Sequence, residues 1–151
     1  MSSPIVRDGI KNFLDDNSAE DVVDLSGEFG ELKELLGEND IQPDAPWLGV
    51  EFIANEELPI SLSATNDQGL YREIGSVLLH VCAEAKVGGG QGIIARGEIL
   101  RNLFRSRRIG SIVVESVSPL NFGPGTTLEF DGGYVSGTIT VAYHLDISPG
   151  A

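Results

Sequence analysis

The sequence predicts an α+β fold, with a mainly antiparallel sheet of about four to six strands and helices packed on one face. Three observations predict it. Apolar residues recur at helical spacing near the start of the chain and again after Gly92. In several other stretches apolar and polar residues alternate, the period of a half-buried strand. No repeat of fixed period joins these segments, which removes solenoids and propellers.

The opening IVRDGIKNFLDD places Ile5, Val6, Ile10, Phe13 and Leu14 at helical spacing and reads as an amphipathic helix. Residues 15–46 are acidic and interrupted by Gly27, Gly30, Gly37, Pro43 and Pro46. They allow a short helix over Glu28 to Leu36, with Leu32, Leu35 and Leu36 on one side, or a short strand over Val22 to Leu25. In WLGVEFIA, Leu48, Val50 and Phe52 alternate with Gly49 and Glu51, a strand signal. ELPISLSA alternates likewise through Leu58, Ile60 and Leu62, and Pro59 favours an edge or a strand start. TNDQG is a turn cluster.

A long strand follows over Tyr71 to Glu84. Tyr71, Val77, Leu79, Val81 and Ala83 share one face, and Arg72, Ser76, His80, Cys82 and Glu84 share the other. These 14 residues would span roughly 45 Å if straight, so Gly75 is read as a bend or bulge. VGGGQG, Val87 to Gly92, then turns the chain into a helix with Ala95, Ile99 and Leu103 four apart and Leu100 and Phe104 beside them. RIGSIVVESV reads as one further strand. PLNFGPGTTLEFDGG is mostly loop, with a possible short strand around Thr127 to Phe130. In YVSGTITVAYHLDI, Val135, Ile139, Val141, Tyr143, Leu145 and Ile147 share one face. Ser136, Thr138, Thr140, Ala142, His144 and Asp146 share the other.

Composition bounds the rest. The 151 residues fit a single domain over 1–151, since one domain holds roughly 100–200 residues, and that length buries about two-thirds of the unfolded surface. Cys82 is the only cysteine, which excludes an internal disulfide and a cysteine-based zinc site. MSSPIVRDGIKNF lacks a signal-peptide core, and no run reaches the roughly 20 apolar residues of a membrane helix. A protein made and kept in the cytosol is expected. The net charge of −13 is uneven: residues 1–57 carry 15 acids and 3 bases, residues 58–151 carry 8 acids and 7 bases. An acidic surface speaks against tight non-specific DNA binding, which needs clustered Lys and Arg.

VGGGQG is neither known type of glycine-rich phosphate loop. Ile93 and Ile94 stand where a phosphate loop needs Lys and Ser or Thr, and the GGGxG spacing departs from the GxGxxG of dinucleotide folds. His80 and Cys82 lie two apart on one strand face, as do His144 and Asp146. If their strands paired, a mixed metal cluster could be drawn. A Cys–His nucleophile, however, needs a pocket and an orienting third group, and the sequence points to neither. Polar positions facing solvent or an interface are the default.

Five of the ten bases fall in one stripe, Arg96, Arg101, Arg105, Arg107 and Arg108. They suit a helix C-terminus, whose dipole favours cations, or the acidic N-terminal region of a neighbouring copy. Head-to-tail contacts of that kind close into rings when the rotation allows. Trp47 suits an interface, a rim or the core.

Three stretches resemble the tail terminator (tail completion) proteins of long-tailed bacteriophages, the family of the lambda minor tail protein U. They are PWLGVEF, then LYREIGSVLLHVCAEAKVGGGQG with IIARGEILRNLF, and GGYVSGTITVAYHLDI. A strand opening on Trp47, a long strand beginning near Tyr71 and Arg72, a Gly-rich start to a helix and a last strand closing on Asp146 carry the likeness. It divides the chain into an acidic, helical or irregular part over 1–45 and an α+β core over 46–147. The resemblance implies a non-enzymatic structural protein of the virion without cofactors, assembled in the host cytoplasm and located at the tail or neck. It implies a hexameric ring on the finished tail tube that ends polymerisation, meets the tail tube protein and offers a surface to the head-completion or neck protein. Genomic DNA would pass through the hole without specific binding, and no membrane is involved. The interface residues are then Arg96, Arg101, Arg105, Arg107, Arg108, Trp47, Tyr71 and Arg72. Another ring-forming particle protein, a head–tail connector or a tube subunit, is the alternative, ahead of a small ligand-binding domain or enzyme.

Overall fold

The computed structural model describes residues 3–18, 21–25, 47–59, 71–84, 89–105, 107–121 and 134–147. Within them the elements run α1 (Pro4–Asn17), β1 (Asp21–Asp24), β2 (Trp47–Pro59), β3 (Tyr71–Glu84), α2 (Gly89–Phe104), β4 (Arg108–Ile109), β5 (Ile112–Val117) and β6 (Tyr134–Ile147). The expected elements over Glu28–Leu36 and Thr127–Phe130 lie outside the described residues, as do Ile60 and Leu62. The strands form one sheet in the order β1-β2-β3-β6-β5-β4. The fold is α+β. Its sheet is mixed, since β1 runs parallel to β2 and every other neighbouring pair is antiparallel. A parallel pair needs a crossover of a dozen or more residues, a length that residues 25–46 supply.

Alternation decides which face is covered. Leu48, Val50 and Phe52 of β2, Val77, Leu79 and Val81 of β3, and Ile139, Val141, Tyr143 and Leu145 of β6 are buried on one face. Val6, Ile10 and Leu14 of α1 and Ile93, Leu100 and Phe104 of α2 close the same cluster. The rings of Phe13 and Phe104 meet edge to face, 5.1 Å apart, and join the two helices. α1 starts with Pro4 in its first turn, where a missing N–H costs nothing and φ is already helical. It is held to the sheet by Arg7 and Lys11, each 2.8 Å from Asp24 Oδ2.

Several elements differ from expectation for identifiable reasons. β2 continues through Pro59 as one strand, because an extra residue at Asn55 shifts the register instead of ending it. That bulge lies across from Gly75, where the bend was expected on β3. Gly75 is required by close approach: a Cβ there would lie 2.5 Å from both the Ile53 carbonyl and Tyr143 Oη. RIGSIVVESV is not one strand but a hairpin, in which Ile109 pairs with Ile112 around Gly110-Ser111. Gly110 has φ +60°, the left-handed value that tight hairpin turns demand. α2 begins at Gly89, so the glycines of VGGGQG supply its first turn. Its buried row is Ile93, Gly97, Leu100 and Phe104, leaving Ala95 and Ile99 exposed. Gly97 causes that rotation, because it admits Leu120 to within 3.2 Å of where a Cβ would stand.

Candidate interface on the open face of the sheet

The helices cover one side of the sheet, and the other side carries the polar rows. At one end these rows are closed. Trp47, Cys82 and Ser136 stand opposite one another across β2, β3 and β6, followed by Gly49, His80 and Thr138. Trp47 and Cys82 are fully buried, and Ser136, His80 and Thr138 nearly so. His80 and Cys82 therefore face neither solvent nor an interface. Arg96 reaches from α2 to this end, donating to the carbonyls of Cys82 at 2.9 Å and Trp47 at 3.3 Å. Of the expected interface residues, Trp47 is therefore fully buried and Arg96 half-buried, with its guanidinium on these two carbonyls.

His80 has both ring nitrogens engaged, Nε2 2.7 Å from Glu51 Oε1 and Nδ1 2.9 Å from Thr138 Oγ1. A carboxylate can only accept, so Nε2 carries the proton of the neutral ring and Thr138 donates to Nδ1. Hydroxyl, imidazole and carboxylate stand in the order of a nucleophile relay, but Thr138 is only 3% exposed, which closes it to a substrate. Instead the trio ties β2, β3 and β6. Cys82 Sγ turns away from the ring and donates to the His80 carbonyl at 3.4 Å.

Burial pushes His80 below its ordinary pKa, and Glu51 acts in the opposite direction. The sign follows. Below the unfolded value of about 6.5 the unfolded chain takes up a proton that the fold resists, so stability falls as pH drops. Urea unfolding should lose up to about 1.4 kcal/mol per pH unit below about pH 6.5 from this group. His80→Gln should remove that slope, and an unchanged slope would assign it elsewhere.

Toward the other end the same face opens. Ile53 is exposed, and Ile74, Ser76, Leu78, Thr140, Ala142 and Val113 are half-buried. Arg72 stands opposite Asp146, and its guanidinium donates to both carboxylate oxygens, at 2.7 and 3.2 Å. One strand over, His144 Nδ1 lies 2.6 Å from Glu115 Oε1. Glu115 is the extra residue of a bulge in β5, since Val114 opposes Tyr143 and Ser116 opposes Ala142. Bulges re-aim side chains in this way. Arg72 holds Asp146 below the usual carboxylate range, with His144 and Arg108 adding to it, while Asp146 raises Arg72. The result is a partly exposed lattice of paired polar side chains at the β3–β6–β5 end.

The site residues named from the sequence are thus divided. Arg72 belongs to this lattice, Arg108 on β4 donates to the Gly110 carbonyl at 3.3 Å and adds to the field on Asp146, and Tyr71 sits half-buried at its margin, opposite Pro59 and Ile147. Arg107 caps α2, donating to the Leu103 carbonyl at 3.1 Å, and lies over the Phe13 ring. Arg101 and Arg105 remain on the outer side of α2. Register keeps the suggested metal pairs apart: His80 opposes Thr138, six residues before His144, or roughly 20 Å along the strand. Among the described residues no group of three His, Cys, Asp or Glu side chains could hold a metal ion. No helix among them is long and apolar enough to cross a membrane. Sequence reading missed Glu51, Thr138 and Glu115. Thr138 shares its strand face with His144, but only the pairing of the strands identifies its partner.

No family model matches the chain, and no curated protein matches it in sequence. Among solved structures, one superposes over 99% of this chain and 99% of its own, with a TM-score of 0.54 and 19% identical residues. Its designation states no activity, ligand or partner, and at that identity the likeness shows the fold alone.

Proposed function

We propose that this chain caps a phage tail tube as a ring, ends its polymerisation and forms the joint to the head. The observation that carries the proposal is the open sheet face. Among the described residues the helices lie on one side of the sheet, and the other carries exposed Ile53, half-buried Leu78 and the Arg72–Asp146 and His144–Glu115 pairs. A flat, half-apolar face with charges in fixed positions suits docking to another protein, where charges set register and partner choice. A second feature supports it. The three stretches that resemble tail terminators are far apart in sequence, yet they form the adjacent strands β2, β3 and β6 and the helix α2.

In this reading the tail tube protein meets one surface of the ring and the head-completion protein the other. The acidic surface lets DNA pass without sticking, as like charges repel. Arg101, Arg105 and Arg108 lie at a subunit or tube contact. Purified chain added to growing tubes should stop their elongation. Reversing the three arginines to glutamate should abolish that block at least about tenfold in potency, since like charges across an interface are costly. Tubes that grow unhindered with wild-type chain present would overturn the proposal, and long tubes made of the chain itself would identify a tube subunit.

A further inference from the structure

Two helix faces remain exposed, and they complement each other. On α2, Ile94 is 51% and Ile99 67% exposed, beside Arg101 and the exposed Arg105 just past its end. The Arg105 side chain has no partner among the described residues. Among the described residues Arg101 meets only Glu98, at 3.7 Å, and its buried Nε makes no hydrogen bond. On α1, Ile5 is 58% exposed, on the same side as Asp8, Asp15 and Asp16. None of those three acids forms an ion pair among the described residues.

Two of these acids are also badly placed for their own helix. Asp15 and Asp16 end α1, which has no basic residue in its last turn, and a helix C-terminus repels negative charge. α2 has the favourable arrangement, with basic Arg101 in its last turn. Charges that weaken their own helix and have no internal partner are suited to an external cation.

Spacing makes the match specific. Ile5 and Asp16 are eleven residues apart, and so are Ile94 and Arg105. Eleven residues are close to three helical turns, about 16 Å, so each pair lies on one side of its helix. Asn12 and Arg101 occupy the same relative position, seven residues after Ile5 and Ile94. Laid parallel, the two helices set isoleucine on isoleucine, an amide at a guanidinium and a carboxylate at a guanidinium.

We infer that α1 of one copy packs parallel on α2 of the next, with Ile5 on Ile94, Asn12 at Arg101 and Asp16 at Arg105. This rests on the ring-forming reading above and names its subunit contact. Two different surfaces meet, so each copy uses both, and such contacts close into a ring when the rotation between copies allows.

Sedimentation velocity and urea unfolding of the full chain test it. Wild type should exceed monomer mass at low salt and dissociate as salt rises, because exposed charges are screened. Asp16→Arg and Arg105→Asp should each weaken association by at least about tenfold, and the double variant should restore it. Asp16→Arg should at the same time raise the urea midpoint, which separates lost assembly from lost folding. Single variants that associate like wild type, or a double variant that stays dissociated, would overturn this contact. So would a wild-type chain monomeric at every concentration tested. Either result leaves the capping proposal to the tube experiment, and unhindered tubes beside a restored double variant would sink capping while keeping the contact.

Discussion

Replacing Phe104 with alanine is expected to cost about 3–5 kcal/mol of folding stability. Phe104 is the last residue of α2 and fully buried. Its ring stands edge-on to Phe13 of α1 at 69°, so it is the point where both helices and the sheet meet. Removing it takes away apolar burial and leaves a cavity that two separately anchored helices cannot easily close. A domain of this kind has about 5–15 kcal/mol in total, so the variant should sit near the edge of folding. Urea unfolding measures it. A loss below about 1 kcal/mol, the size of an average substitution, would contradict the placement of Phe104 at the centre of the core.

The second large effect concerns Glu73, a carboxylate only 7% exposed. Its Oε2 accepts the Tyr143 hydroxyl at 2.7 Å, and its Oε1 accepts the backbone N–H of Ser3 at 3.1 Å. Ser3 is the N-cap of α1 and makes no side-chain cap of its own, so Glu73 takes part in anchoring that helix end. Glu73→Ala takes the acceptor from one buried hydroxyl and one half-buried N–H, and each unsatisfied buried group costs about 1–3 kcal/mol. A loss of about 2–5 kcal/mol is expected. Tyr143→Phe removes one donor and should cost about half as much. Hydrogen exchange adds a readout specific to the anchor, since α1 amides should lose protection in Glu73→Ala before those of β3 and β6. Equal protection throughout would show that Glu73 does not hold the helix.

Much of the frame was legible in the sequence, because alternation and helical spacing are local. The long strands Tyr71–Glu84 and Tyr134–Ile147 and the N-terminal helix follow from such patterns. What alternation cannot tell is whether the second face of a strand is also buried, which is why His80 and Cys82 were expected outside. The sequence points to a bend or bulge at Gly75, but the strand that carries it was not legible, since Asn55 and Glu115 are extra residues only relative to a partner strand. The hairpin around Gly110-Ser111 could have been read, because Gly-Ser between two apolar runs is a turn signal. Arg96 illustrates a further limit. One arginine in a basic stripe looks like the others, and only the packing of α2 against the ends of β2 and β3 assigns it to their carbonyls. The Arg72–Asp146 pair likewise depends on register across 74 residues.

One measurement tests the central claim most directly: electron microscopy of particles assembled without this chain. Overlong tails, or filled heads separated from tails, are the expected result, because nothing would end tube growth or bridge it to the head. Tails of normal length joined to normal heads would contradict the account.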